Sequence, residues 1–200
     1  AEAENAFTSA ILQVTGTRQR VVYFLTGHGE ASIGGDYSTA RKGLRDNLFQ
    51  VAEWNLGQIG AMPKSASVFV IAGPQLELSN NEIALLDDYL HQGGSLLVLL
   101  NPNPQAGLRE LTSSWWMSID DGVVVDPEAH VTPNFDVPLV DADRNLYRMG
   151  DLYFPGATAV RPQADQPDEA AISPLAWTTA AAWLENGALG GGDEGGGGDG

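Results

Sequence analysis

Cysteine is absent from the 200 residues, which removes disulfides, thiolate metal sites and cysteine nucleophiles together. The compartment stays open, because disulfides are permitted outside the cytoplasm rather than required there. Basic side chains are scarce: 10 Lys and Arg stand against 26 Asp and Glu, a formal charge of -16 at pH 7. That balance repels a polyanion, so nucleic acid is not an expected partner. The densest basic run, Arg41, Lys42 and Arg45, reads as the solvated face of a helix. No apolar stretch approaches the roughly 18 residues that a membrane helix needs. The longest, residues 96–100, is strand-sized. Neither G-x-G-x-x-G nor G-x-x-x-x-G-K-[ST] occurs, so nothing in the chain offers a phosphate cradle for nucleotide hydrolysis. His28, His91 and His130 are far apart and outside any H-E-x-x-H pattern, and Ser32, Ser113 and Ser173 lack the nucleophile-elbow context. No metal, cofactor or catalytic residue is expected.

What is present reads as an α/β chain. Residues 5–14 place Ala6, Phe7, Ala10, Ile11 and Val14 at helical spacing, predicting a leading helix within residues 1–16. Residues 21–25 and 67–72 are continuous apolar runs closed by Thr26-Gly27 and Gly73-Pro74, the pattern of strands buried on both faces. Residues 95–100 repeat it before Asn101-Pro102. Between them, Ala40, Leu44 and Leu48 make one helical stripe, and residues 50–56 alternate in the manner of an edge strand. Ser79 and Glu82 form an S-x-x-E capping box ahead of Ile83, Leu86, Tyr89 and Leu90, with Gly93-Gly94 at the far end. Residues 108–117 predict another helix and residues 122–125 a last short strand. This succession predicts a flavodoxin-like, mostly parallel sheet with helices on both faces over residues 17–126.

Beyond Asp126 the pattern degrades. Seven prolines, from Pro127 to Pro174, interrupt the candidate elements, and residues 101–200 hold 16 of the 26 acids with only four Lys and Arg. We therefore expect a loop-rich acidic extension over residues 127–187, with short strands near Tyr153-Phe154 and at residues 158–160. Residues 188–200 read as a flexible glycine and acid linker. The opening at Ala1 and this closing run read as cuts or processing points, so we expect a segment of a longer protein.

In an open parallel sheet, ligands lie beyond the carboxyl ends of the strands, which directs attention to the loops at Thr26, Gly73 and Asn101. Thr26, Gly27, His28, Gly29 and Glu30 offer an imidazole and a carboxylate together, and Gly73, Pro74 and Gln75 form the neighbouring loop. As an acid/base pair His28 and Glu30 lack a nucleophile or a metal set, so a structural role in bonding neighbouring loops is preferred. Asp120-Asp121 before Gly122 reads as a solvated turn. Trp115 and Trp116, adjacent on the expected helix, cannot both face one core, and Trp116 joins the candidate partner-binding residues.

The run of residues 22–30, followed by Ala72-Gly73-Pro74, by Leu78-Ser79 with residues 82–90, and by residues 93–100, resembles the auxiliary component of ABC-type transport systems of the gliding-motility class. The soluble part of that component is related to an intraflagellar-transport-like domain. Pro174-Leu175-Ala176-Trp177-Thr178 is similar to a later segment of the family. The resemblance implies a flavodoxin-like domain, distantly similar to class I glutamine amidotransferases, whose cysteine nucleophile is missing here. It further implies a place outside the cytoplasm, on the periplasmic or cell-surface side, held by membrane helices outside these residues. The partners implied are the permease and ATPase subunits of the same transport system. The expected function is thus non-catalytic binding. A small-molecule or carbohydrate binder or hydrolase using residues 27–30 is the competing expectation.

Overall fold

A computed structural model describes residues 20–102 and 104–186. The expected leading helix and the glycine-rich tail lie outside these residues. The described chain is a mixed α/β protein that divides into two compact units, one reaching Leu100 and taking in residues 104–111, the other comprising residues 101–102 and 112–186.

The first unit is built on a four-stranded parallel sheet in the order β2-β1-β3-β4. Its strands are β1 (Val21–Leu25), β2 (Gln50–Trp54), β3 (Ala66–Ala72) and β4 (Leu96–Leu99). In register, Val22 lies between Val51 and Val68, and Phe24 faces Val70. The period-two alternation therefore collects Val22, Phe24, Val70 and Ala72 on one face. Ile33, Tyr37, Leu44 and Phe49 cover that face, two of them from helix α1 (Ser38–Asp46) and its exit. Residues of the opposite parity, Leu25, Phe69 and Ile71, are also buried, which accounts for the continuous apolar character of β1 and β3.

Between β2 and β3 runs a single helical turn, α2 (Leu56–Ile59), capped by the Asn55 side chain. Helix α3 (Asn80–His91) opens on the predicted capping box and ends on His91, whose Nδ1 lies 3.0 Å from the Asp87 carbonyl. One expectation is corrected here. β4 is an edge strand of this sheet, not an interior one, and its Leu97 is exposed. Ile33, in the segment between β1 and α1, is buried against the sheet.

Helix α4 (Ala106–Ser114) contains the boundary between the units. It stops three residues short of the expected end. Trp115 and Trp116 form a turn, with Trp116 at φ 57°, so the two indoles are half-buried off the helix rather than on it.

The second unit adds short antiparallel strands to the stretch expected to be loop-rich. It contains β5 (Met117–Ile119), β6 (Val123–Val125), β7 (His130–Val131), β8 (Asn134–Val140), β9 (Leu152–Tyr153), β10 (Val160–Pro162) and β11 (Trp183–Glu185). These pair antiparallel as β10-β5, β11-β6 and β7-β8-β9. β8 runs through Pro138, which the sequence marks as an interruption. Proline has no N–H to give, but its carbonyl accepts from Phe154 N at 3.1 Å, and the β7 pairing is irregular at that point.

Candidate functional site

The carboxyl ends of β1 and β3 release their chains into adjacent loops. The Thr26 amide donates to the Trp54 carbonyl, Ala31 N donates to Ala72 O, and the His28 carbonyl accepts from both Gln75 N at 2.7 Å and Leu76 N at 2.9 Å. The two loops singled out by sequence, residues 26–30 and 73–75, are thus joined through one carbonyl. Glycine is required on both sides of His28. Gly27 has φ 119° and Gly29 φ 75°, and a Cβ on either would come within 3.0 Å of the Asn55 or Gln75 side chain.

His28 stands between two carboxylates. Its Nδ1 is 3.3 Å from Glu30 Oε1 and its Nε2 is 3.2 Å from Glu82 Oε2, while its own backbone amide donates to Glu30 Oε2 at 2.8 Å. Both glutamate side chains are almost wholly buried, at 3% exposure for Glu30 and 7% for Glu82. A neutral imidazole carries one N–H and can donate to one of these carboxylates at a time, whereas the doubly protonated ring donates to both.

Glu82 belongs to the α3 capping box. Its Oε2 accepts from Ser79 N at 2.9 Å and from Ser79 Oγ at 2.7 Å, so a helix start is tied to the β1 loop through one oxygen. Burial works against the Glu82 charge. The Ser79 backbone and hydroxyl and the neighbouring His28 outweigh it and hold the carboxyl below the ordinary value of 4.5. Glu82 Oε1 is buried and accepts no hydrogen bond from the described residues. It faces Gly57 of α2, where a Cβ would approach to 3.0 Å.

Of the residues singled out by sequence, Gly27, Gly29 and Gln75 are exposed at this edge, Thr26 is half-buried, and Gly73 follows β3 with its amide donating to Leu99 O. Pro74 is buried, and its carbonyl accepts from Gln105 Nε2 at 2.6 Å. Trp116 falls in the second unit, not in the unit that carries this edge. Sequence reading took Ser79 and Glu82 as a helix cap and missed that the same carboxylate holds His28. It also missed Asn55 and Leu76. The S-x-x-E pattern was the available signal for Glu82, but its contact with His28, 54 residues away, has no local trace.

The second unit has its own polar centre, at a residue that the sequence reading used only as a boundary. Asp126 is fully buried after β6. Its Oδ1 accepts from Glu128 N, Ala129 N and Thr179 Oγ1, and its Oδ2 accepts from Thr179 N at 2.9 Å. Burial opposes the charge here too, yet the Thr179 backbone and hydroxyl, with the Ala129 and Glu128 amides, keep the carboxyl below its usual 3.8. Arg144 Nη1 lies 3.8 Å away, and the same guanidinium donates through Nη2 to Leu139 O and Asp141 Oδ2.

A solved structure described as "mmIFT52 N-terminal domain" superposes with a TM-score of 0.62 over 82% of this chain and 75% of its own, at 17% identity, which is a likeness of fold. No curated protein matches the chain. The family model described as "ABC-type uncharacterized transport system", an auxiliary component, matches residues 19–159, from the start of β1 through β9. Because that match takes in the His28 loop, the capping box and most of the β-rich second unit, the chain belongs to this ABC transport auxiliary family.

Proposed function

We propose that this domain is a non-catalytic, extracytoplasmic part of a membrane-anchored auxiliary subunit, and that it works by binding through the loop edge of its parallel sheet. The strand order β2-β1-β3-β4 supports a flavodoxin-like reading of that sheet, in which the carboxyl edge is the customary place for contacts. The observation that carries the proposal is the clasp of Glu30, His28 and Glu82. Both ring nitrogens and three of the four carboxylate oxygens are engaged with one another, with the His28 amide or with the Ser79 cap, so these groups hold loops in place rather than face an open reaction site. Around them the edge presents Gly27, Gly29, Gln75 and Leu76, with Leu76 62% exposed. Its partners are the permease and ATPase of the same transport system.

The test uses the complete protein purified in detergent from its native membranes. A P-loop ATPase and a multispanning permease should co-purify with it, and Leu76→Asp should weaken that recovery without lowering the melting temperature. Recovery of the complete protein in the soluble cytoplasmic fraction would overturn the proposal. A second measurement separates the competing small-molecule or carbohydrate reading. His28→Ala combined with Glu30→Ala should lower thermal stability clearly, as expected of a clasp. A variant that melts like the wild type and loses binding of a small ligand would instead favour a ligand site.

A further inference from the structure

The second unit carries an exposed feature of different construction. Asn145 and Ala176 form an antiparallel bridge, with Leu146 N donating to Leu175 O at 2.9 Å and Trp177 N to Arg144 O at 3.1 Å. At this bridge Asn145 is buried, whereas its neighbour Leu146 and the residues on either side of Ala176, Leu175 and Trp177, are 51%, 57% and 43% exposed. The buried amide of Asn145 also fixes the loop that follows. It accepts from Met149 N at 2.8 Å and donates to the carbonyls of Met149 and Asp141. Exposed apolar residues held by a buried hydrogen-bonded frame are pre-organised, so little ordering opposes association through them.

The surroundings decide what fits. Segments 141–151 and 165–177 carry Asp141, Asp143, Asp151, Asp165, Asp168 and Glu169 against Arg144 and Arg148. Arg144 is directed to Asp126 and Asp141, and Arg148 lies 4.0 Å from Asp143, so the two segments that bear these residues keep a net negative charge, a fringe set by their sequence. An anionic lipid surface is repelled by that fringe, and a second copy would bring the same sign against itself. A surface that buries the apolar face and matches the fringe has apolar residues flanked by cations.

We propose that the ribbon face of Leu146, Leu175 and Trp177 docks a basic amphipathic segment of a partner protein. This site belongs to the second unit and does not depend on the loop edge of the first. The experiment measures fluorescence anisotropy of a labelled Leu/Lys peptide of about five helical turns with the full 200-residue chain at about physiological ionic strength. The wild type should bind it, and a Leu175→Ser, Trp177→Ser double variant should bind about tenfold more weakly or worse. A Leu/Glu peptide of the same length should bind the wild type at least about tenfold more weakly. Should the double variant lose its circular dichroism spectrum, Leu175→Lys alone replaces it, with several-fold weakening expected. Equal affinity of the folded variant and the wild type, or of the two peptides, overturns the proposal. Dimerisation in sedimentation that the substitutions abolish would assign the face to a second copy. Flotation with phosphatidylglycerol vesicles that they abolish would assign it to a membrane, and either result refutes the protein-segment reading.

Discussion

Glu82 shows how one side chain serves two structures. Through Oε2 it completes the cap of α3, and through the same oxygen it holds Nε2 of His28 at 3.2 Å. Replacement by Gln keeps the shape and removes the charge, so the contacts become ordinary neutral hydrogen bonds and the variant should lose about 1–3 kcal/mol at neutral pH. The pH dependence has a definite sign. A carboxyl held below 4.5 in the folded chain contributes fully above that value, and the contribution disappears as pH falls through the lower folded value. The gap in stability between wild type and Glu82→Gln should therefore be constant above about pH 4.5 and close below it. Urea titrations at several pH values read this directly. A gap that stays the same down to about pH 3 would mean that the charge of Glu82 has no part in the clasp.

At the scale of elements, α3 depends on Ser79 for both its first turn and its tie to the sheet. Ser79→Ala deletes the hydroxyl that accepts from Glu82 N and donates to Glu82 Oε2. A loss of about 0.5–2 kcal/mol is expected, with faster hydrogen exchange at the amides of Glu82 and Ile83 and little change in β4. An unchanged exchange rate at Glu82 would show that the helix start is held by other means. The same helix illustrates what sequence makes visible. Its cap is a four-residue pattern, and β1 and β3 are visible because strands covered on both faces must be apolar throughout. β8 was not visible, since Pro138 argues against a strand and the seven residues alternate weakly. Nor was Ile33, where the fold-back over the sheet is decided by residues far from it. Asp126 is the clearest case. Thr179, which binds it with both backbone and hydroxyl, lies 53 residues further on, and no spacing within a window could connect the two.

For the whole molecule, the net charge of -16 and a pI near 4.2 set two opposing responses to acid. Lowering the pH from neutrality toward the pI reduces the mutual repulsion of the carboxylates and favours the compact state. Further lowering protonates groups that the fold binds as anions. Both Glu82 and Asp126 sit below their ordinary values of 4.5 and 3.8, so each contributes stability above those values and withdraws it as pH drops through its folded value. The two effects also differ in their response to salt. Surface repulsion is screened over a Debye length of about 10 Å at 0.1 M, whereas the buried contacts of Glu82 and Asp126 are shielded from the solvent ions. At low ionic strength the melting temperature should therefore rise between about pH 7 and about pH 5, pass a maximum and fall below about pH 4. At about 0.5 M NaCl the initial rise should flatten and the fall should persist. Melting curves that decline steadily from neutrality at low salt would show that repulsion between surface carboxylates does not limit this fold, and an acid limb abolished by salt would show that the buried carboxylates do not cause it.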